Sequence, residues 1–343
     1  MPHRTFFAFI FPSILAMLLF ISLPIISVAV QSLFVKHPQV LIEVENSGPF
    51  GVTKETRVDT AAMEALQSSK PMGQFAGFAN YTDYNHLAVD DVGKIFAENA
   101  GFSDITHRLM NLPFYRALAF TLAYCFLVTP IAMILGFTTA LAINTLPSIV
   151  KGPVIFFSIL PMIITPLVGS LILYWMFSPE GILGASLQAL FNDPKLSLRA
   201  SPLMTWIVVI GYGIWTNAPF SFVVFYAGLQ TVPQDTVESA RIDGATRWQT
   251  IRLVIFPHLA PLATFVALVQ LMDNFRVFEP IVGFSAEANV TSLSWLVYND
   301  LISQDAQQFG SAAATSVITI IGVLLLLTPV LRRTWRDFNQ KVV

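Results

Sequence analysis

The chain has 343 residues, of which 55% are hydrophobic and 12% are charged, and its formal net charge is −2. This composition excludes an ordinary soluble domain, which carries about 25% charged residues, and it predicts a helical protein with several membrane spans. A slightly negative chain does not fit nucleic-acid binding. The single cysteine, Cys125, excludes an intrachain disulfide and a cysteine-based metal site.

Six long apolar stretches are candidate membrane spans, because about 20 mostly apolar residues cross a bilayer. The first stretch is longer than the apolar core of a secretory signal peptide, so we expect it to be retained. The predicted spans are residues 6–34, 114–143, 153–177, 203–229, 258–284 and 312–331.

Lysine and arginine predict the orientation of these spans, because they predominate in short cytoplasmic segments. With both termini in the cytoplasm, the inside segments carry nine such residues, whereas the short outside segments, 178–202 and 285–311, carry only Lys195 and Arg199. The nine inside residues are Arg4, Lys151, Arg241, Arg247, Arg252, Arg332, Arg333, Arg336 and Lys341. We therefore predict a multi-pass protein with both termini cytoplasmic.

The segment between the first two predicted spans is too long for this charge rule. It is mixed in charge, and we expect an enlarged extracytoplasmic loop that contains a small subdomain. The expected organisation is a first transmembrane helix in residues 1–34, this loop in 35–113, a transmembrane core in 114–331 and a cytoplasmic tail in 332–343.

Residues 231–257, between the fourth and fifth predicted spans, carry an unusual number of charges. Three arginines at mid-membrane would cost about 2.5–3.5 kcal/mol each, so this segment is predicted to lie in the cytoplasm. Asp235 with Glu238, and Thr246 with Gln249, match the capping-box pattern that starts a helix. Gly244 between them permits a turn. The pattern predicts two short helices joined by a glycine turn.

The sequence of this segment resembles a known motif. Glu238-Ser239-Ala240, Asp243-Gly244-Ala245 and the later Pro257 resemble the EAA loop of binding-protein-dependent ABC importer permeases. YAGLQTVPQ in residues 226–234 resembles the segment that precedes the EAA loop in the carbohydrate-uptake subgroup. GFANY in 77–81 resembles the motif that this subgroup has ahead of its second span. FRVFEPI in 275–281 is similar to the maltose-type first permease subunit, although GFSAEAN in 283–289 departs from that pattern.

The resemblance implies an all-α permease core whose EAA loop is a cytoplasmic coupling helix that docks on a separate ATPase. The implied docking residues are Glu238, Ala240, Asp243, Gly244, Ala245 and Pro257. The residues themselves leave a simpler alternative open, in which Glu238 caps its own helix and Asp243 closes a turn.

The resemblance also implies the partners and the location of the chain. The partners are a second permease subunit, two ATPase subunits, an extracytoplasmic solute-binding protein and a sugar or sugar-like solute, within the lipid bilayer of the bacterial cytoplasmic (inner) membrane. ATP and Mg²⁺ would be bound by the ATPase, so we expect no cofactor in this chain. The sequence contains no G-x-x-x-x-G-K-[ST], H-E-x-x-H or G-x-S-x-G pattern, which favours a non-catalytic subunit without a metal site.

Polar residues at helical spacing in the fourth and fifth predicted spans are candidates for the solute pathway. Amide groups both donate and accept hydrogen bonds, which suits a polyhydroxylated solute, and the positions are similar to those of the sugar-contacting helices of the maltose-type permease. The first face holds Gly213, Thr216, Asn217 and Phe220, and the second holds Gln270, Asp273, Asn274 and Val277. The alternative is that Asn217 and Thr216 form hydrogen bonds between helices and that Gly213 eases packing.

Three charged residues follow one another at the end of the fifth predicted span. Asp273, Arg276 and Glu279 are spaced i, i+3, so Arg276 can pair with either acid, and we prefer a self-neutralised cluster. A free Asp273 or Glu279 would instead suit a proton-coupled secondary transporter, which works without an ATPase.

Overall fold

A computed structural model describes residues 3–48, 51–98, 101–193, 201–302 and 308–340. Lys195, Arg199 and Lys341, which enter the predicted orientation, lie outside these ranges. The chain divides into two compact units, one of Met1–Tyr115 with Leu296–Ile320 and one of Arg116–Trp295 with Ile321–Val343.

The elements up to the second span are mostly short. They are α1 (His3–Met17), α2 (Leu23–Gln31), β1 (Phe34–Val35), β2 (Leu41–Gly48), β3 (Gly51–Val58), α3 (Thr60–Ser69), β4 (Gln74–Phe75), α4 (Ala79–Thr82), α5 (Val89–Ala97) and α6 (Phe102–Met110). A π-helical turn, Leu18–Ser22, joins α1 to α2. The predicted loop of residues 35–113 thus holds a β-hairpin and several helices.

The remaining elements are helical. They are α7 (Pro113–Asn144), α8 (Ser148–Ile163), α9 (Pro166–Phe177), α10 (Ile182–Phe191), α11 (Pro202–Leu229), α12 (Gln234–Ile242), α13 (Arg247–Thr250), α14 (Phe256–Phe275), α15 (Glu279–Gly283), α16 (Leu293–Ile302) and α17 (Phe309–Gln340). A second π-helical turn, Ile251–Ile255, joins α13 to α14.

Within the described ranges, six helical stretches are long and apolar enough to cross a membrane. They are Phe6–Gln31, Pro113–Asn144, Pro166–Phe191, Pro202–Leu229, Arg247–Phe275 and Phe309–Arg332. The predicted all-α integral membrane fold with about six spans is confirmed.

Two predicted spans have the wrong boundaries. The third, residues 153–177, is broken at Ile164 and Thr165, which adopt extended backbone angles. The break arises because Pro166 disfavours the helical conformation in the residue before it. The predicted fifth span, 258–284, ends at Phe275, and Arg276 leaves the helix before α15 begins.

In the first unit, two pairs of antiparallel strands follow the first span. β1 pairs with β4, and β2 pairs with β3 in a hairpin that places Leu41 opposite Val58. Asp59 caps α3, because its Oδ1 accepts a hydrogen bond from the N–H of Ala62 at 3.0 Å. A small apolar core forms around Ala88, Ile95 and Leu112.

The second unit has two apolar cores, one at each end of its helices. The first core includes Phe120, Val209 and Ile281, and the second includes Ile143, Phe222, Phe225, Leu229 and Leu259. α11 is common to both cores and packs against α8 and α14, while α15 packs against α9. α11 therefore stands at the centre of the contacts that position the candidate site.

Candidate functional site

We call residues 234–250, comprising α12, a turn and α13, the elbow. Two backbone hydrogen bonds close its turn, from the N–H of Gly244 to the carbonyl of Arg241 at 3.1 Å and from the N–H of Ala245 to the carbonyl of Ala240 at 3.0 Å. Gly244 has φ +81, a left-handed conformation that favours glycine. This pattern is a Schellman motif with Asp243 at the C-cap. The D-G-A part of the sequence motif therefore ends the helix in a defined geometry.

The second helix of the elbow begins with the predicted capping box. The N–H of Gln249 donates to Thr246 Oγ1 at 3.3 Å, and the N–H of Thr246 donates to Gln249 Oε1 at 2.8 Å. This prediction is confirmed, because the two bonds satisfy backbone donors that the first helical turn leaves free.

The other predicted capping box, at Asp235 and Glu238, is wrong. α12 begins at Gln234, directly after Pro233, so both acidic residues lie inside the helix. The fixed φ of proline suits the residue that precedes a helix, and no side chain caps this end. Glu238 therefore does not cap its own helix, and among the described residues it has no ion-pair partner.

A groove of about 600 Å³ lies between the elbow and the ends of α7 and α11. Glu238 and Arg241 lie on its elbow side, together with Val237. The full lining is Leu141, Asn144, Thr145, Leu229, Gln230, Val232, Gln234, Val237, Glu238, Arg241, Ala245, Arg247, Thr250, Ile251 and Ile255. We refer to it as the elbow groove.

Large apolar side chains are also exposed on the elbow itself. Ile242, beside the glycine turn, is 85% exposed, and Trp248 on α13 is 69% exposed. Apolar groups that cluster on a charged, solvent-accessible segment are typical of a surface that another protein covers. The elbow thus combines exposed charged side chains, such as Glu238, with exposed apolar side chains on two helices that a hydrogen-bonded turn joins.

Pro257 shapes the link between the elbow and the membrane span. A proline has no N–H for the carbonyl four residues earlier, and its ring clashes with that carbonyl. The structure widens at this point into the π turn Ile251–Ile255, in which the N–H of Phe256 donates to the carbonyl of Ile251. The helix continues through the proline, so Arg247–Phe275 is one helical stretch of 29 residues.

The polar residues predicted on α11 are engaged inside the second unit. Asn217 Nδ2 donates to the carbonyl of Gly213 at 2.8 Å, and Thr216 Oγ1 donates to the carbonyl of Tyr212 at 3.0 Å. Gly213 allows a close approach, because an added Cβ would lie 2.1 Å from the hydroxyl oxygen of Tyr124. Phe220 is half-buried and its ring lies 6.4 Å from that of Phe265.

The amides predicted on α14 bridge to neighbouring helices. Gln270 is 1% exposed, and its Nε2 donates to the carbonyl of Asn217 at 2.9 Å and to Ser221 Oγ at 2.7 Å. Asn274 Nδ2 donates to Thr129 Oγ1 of α7 at 2.9 Å. These hydroxyl partners were not predicted, since a single hydroxyl in an apolar helix gives no sequence signal. Val277 lies in an apolar core.

The charged cluster after α14 is only partly as predicted. Arg276 Nη2 lies 2.7 Å from Asp273 Oδ1, and both side chains are exposed. Glu279 begins a new helix and is exposed, and it forms no ion pair among the described residues. The predicted ion pair between Asp273 and Arg276 is confirmed. The prediction that Glu279 continues the same helical spacing is wrong, because α14 ends at Phe275.

An open pocket of about 420 Å³ lies beside the predicted α11 face, between α7, α8 and α11. Its walls include the aromatic side chains of Phe157 and Trp215 and the hydroxyl-bearing Thr139 and Ser158. This pocket opens along α11 at Gly211, Ile214, Trp215 and Ala218, beside the predicted face and not on it.

Comparison with known proteins identifies the part of the chain from the second span onward. Residues 109–333 match the family model described as binding-protein-dependent transport system inner membrane component. The trehalose transport system permease protein SugA of Mycobacterium tuberculosis is 30% identical over 221 residues, which cover 64% of this chain and 70% of that protein. The sn-glycerol-3-phosphate transport system permease protein UgpA of Agrobacterium fabrum is 26% identical, with 71% and 83% covered.

A solved structure has the same fold. It is a chain of a bacterial ABC transporter involved in the import of the acidic polysaccharide alginate, with a TM-score of 0.60 and 23% identity. The match covers 73% of the present chain and 90% of the other.

Proposed function

The chain belongs to the family of binding-protein-dependent transport system inner membrane components, and from this premise we propose that it is a transmembrane permease subunit of an ATP-driven importer. It forms half of an alternating-access pathway, and its elbow couples that pathway to a separate ATPase. The chain itself is non-catalytic. It lies in the bacterial cytoplasmic membrane with both termini in the cytoplasm.

The geometry of the elbow is the observation that supports coupling best. Glu238 is exposed and has no ion-pair partner in the part of the chain that the structure describes, while Ala240, Asp243, Gly244 and Ala245 hold the end of α12 in a fixed turn. A rigid turn transmits a displacement that a flexible loop would absorb. Glu238 and the apolar side chains of the elbow are the proposed contacts with the ATPase.

The continuous helix that follows supplies a route into the membrane. Arg247–Phe275 carries the elbow at one end and Gln270 and Asn274 near the other. Those two amides bond to α11 and α7, so a shift of the elbow moves three helices of the unit together. Pro257 sets the angle at which the elbow meets this helix.

The proposed solute is a sugar or a sugar-like molecule. Two relatives are named for the transport of trehalose and of sn-glycerol-3-phosphate. Trehalose is a small polyhydroxylated solute, and sn-glycerol-3-phosphate is a derivative of one. In the pathway we assign Phe220 and Asp273 to the accessible surface. Gly213, Thr216, Asn217, Gln270, Asn274 and Val277 hold the helices behind it.

The proposed partners follow from the same premise. They are a second permease subunit, an extracytoplasmic solute-binding protein and two ATPase subunits, which bind ATP and Mg²⁺. A proton-coupled mechanism is not favoured, because the family match is to binding-protein-dependent transport and Asp273 pairs with Arg276. Glu279, which forms no ion pair among the described residues, is exposed at the start of α15.

The proposal is tested by reversing the charge of Glu238. In the assembled transporter, Glu238→Lys should abolish the ATP hydrolysis that solute-loaded binding protein stimulates, since the new cation meets the surface that accepted an anion. Glu180→Lys, at another exposed acidic residue, is the matched control and should leave stimulation unchanged. Full stimulation of the Glu238→Lys transporter would remove the coupling role.

A further inference from the structure

The chain beyond the first membrane span folds back onto the end of that span. The N–H groups of Ala76 and Gly77 both donate to the carbonyl of Leu33, at 2.8 and 3.1 Å. β1 and β4 pair at the same place, with Phe34 opposite Phe75. Residues 74–77 are therefore attached within four residues of Gln31, where α2 ends.

Asn80 and Tyr81 of the GFANY motif complete this attachment. The buried Asn80 donates through Nδ2 to the carbonyl of Ser32 at 2.7 Å and to that of Phe34 at 3.1 Å. The hydroxyl of Tyr81 lies 2.6 Å from that of Ser32. Asn80 thus satisfies carbonyl groups at and just beyond the end of the helix, Tyr81 bonds a side chain there, and together they hold α4 directly against the end of the span.

Four aromatic rings are carried by this attachment, and we call them the aromatic platform: Phe34, Phe75, Phe78 and Tyr81. Phe75 is 70% exposed and Phe78 is 75% exposed. The rings of Phe34 and Phe75 are 5.5 Å apart, and those of Phe78 and Tyr81 are 5.8 Å apart. Residues 71–82 contain no charged side chain.

The length of the first span keeps the platform close to one surface of the membrane. Phe6–Gln31 has 26 residues, so it is about 39 Å long, whereas the hydrocarbon core is about 30 Å thick. The end of the span therefore reaches the headgroup layer. Phe34 follows three residues later, at most about 11 Å along the chain, and a headgroup layer is about 5–7 Å thick.

We propose that the aromatic platform inserts into the headgroup layer of the leaflet in which the first span ends, and that it anchors this span at a fixed depth. The bilayer is the favoured partner because the platform is continuous with a span that is itself unburied within the structure. Aromatic rings are enriched at this level of a membrane. Residues 71–82 themselves offer a protein partner no ion pair, and large exposed rings in water are unfavourable.

The test measures the depth of Phe78 with a spin label. Cys125 is the only cysteine and is buried, so Phe78→Cys introduces a single reactive thiol. The full chain, labelled with a nitroxide, is reconstituted into vesicles of phosphatidylethanolamine and phosphatidylglycerol. Collision rates are measured with oxygen, which concentrates in lipid, and with a water-soluble nickel chelate. Ser68→Cys, at an exposed position of α3, is the control.

We expect a ratio of oxygen to nickel collisions at Phe78→Cys that is several-fold higher than at Ser68→Cys. A ratio equal to that of Ser68→Cys would mean that the platform faces water, and the proposal would fail. Low collision rates with both reagents would mean that protein covers the platform, which would also overturn it. Phe75→Cys reports on the same surface if the Phe78 variant does not fold.

Discussion

Gly244 is the residue whose backbone angle fixes the turn of the elbow. A Cβ added there meets nothing within 4 Å, so any effect of a substitution comes from the conformation at φ +81 and not from a clash. Gly244→Ala should cost about 1–2 kcal/mol in that conformation, distort the turn and reduce stimulated ATP hydrolysis several-fold in the assembled transporter. Gly244→Asn should retain more activity, because asparagine tolerates the left-handed region.

Gly152→Ala is the matched control for this prediction. Gly152 lies inside α8, has no positive φ and also has open space around it. Its substitution should leave ATP hydrolysis unchanged. Equal activities for the Gly244→Ala, Gly244→Asn and wild-type transporters would show that the left-handed turn is not needed for coupling.

Asn274 is predicted to stabilise the unit through its bond to Thr129. We expect Asn274→Ala to lower the thermal stability of the purified chain, because a buried Thr129 hydroxyl loses its donor. In a double-mutant cycle with Thr129→Val, the coupling energy should be about 0.6 kcal/mol and at most about 1.7 kcal/mol, the range for such bonds in membrane proteins.

The measurement is thermal unfolding of the two single variants and the double variant in detergent. Thr138→Val is a suitable control, because Thr138 lies on the same helix as Thr129 and is exposed. Its hydroxyl donates to the backbone carbonyls of Ile134 and Leu135 in that helix. Strictly additive losses for Asn274→Ala and Thr129→Val would contradict a direct interaction between the two side chains.

At the scale of elements, contacts between helices were not predictable from the sequence, and local signals were predictable only in part. The capping-box spacing at Asp235 and Glu238 was misleading, because the helix begins directly after Pro233. The capping box at Thr246 and the glycine turn depend on residues within one helical turn, so their spacing was sufficient. The break before Pro166 also has a local cause, but the continuous apolar pattern masks it. The partners of Gln270 and Asn274 lie on other helices, so no local pattern reveals whether those amides face a cavity or a neighbour.

The two π turns share a cause that sequence periodicity did not predict. Each ends two residues before a proline, with Leu18–Ser22 followed by Leu23-Pro24 and Ile251–Ile255 followed by Phe256-Pro257. The wider turn separates the proline ring from the carbonyl with which it would clash. At these two positions the helix continues past the proline with a shifted register, whereas Pro12 of α1 and Pro261 of α14 lie inside helices without a π turn.

Pro257→Ala tests whether the second π turn orients the elbow. The alanine N–H can bond the carbonyl of Leu253, so the π turn can close to a regular α turn. The turn then contains one residue fewer, so the elbow rotates by about 100° about the axis of α14. We expect stimulated ATP hydrolysis to fall strongly, while the thermal stability of the purified chain is maintained or increased.

Pro24→Ala is the corresponding change at the π turn of the first span. It should leave ATP hydrolysis unchanged, since that turn lies outside the unit that carries the elbow. Normal stimulation of the Pro257→Ala transporter would show that the orientation of the elbow does not depend on the π turn.

At the scale of the whole molecule, the central question is which ends of the spans face the cytoplasm. Coupling requires the elbow to share a compartment with ATP, and a solute-binding protein would act on the opposite side. The predicted orientation rests on nine lysines and arginines inside against two in the short outside segments. It assigns the elbow to the cytoplasm and α3, within residues 35–113, to the outside.

Two variants, each with one added cysteine, test this orientation in intact cells. Ser239→Cys is exposed on α12 of the elbow and Ser68→Cys is exposed on α3, and both occur against a background in which Cys125 is buried. A membrane-impermeant maleimide should label Ser68→Cys in intact cells, and it should label Ser239→Cys only after the membrane is permeabilised. The reverse pattern would place the elbow on the side without ATP, and coupling through it would then be impossible. Labelling of both variants in intact cells would mean that an even number of spans separates α3 from the elbow, whereas the six-span topology places three spans between them.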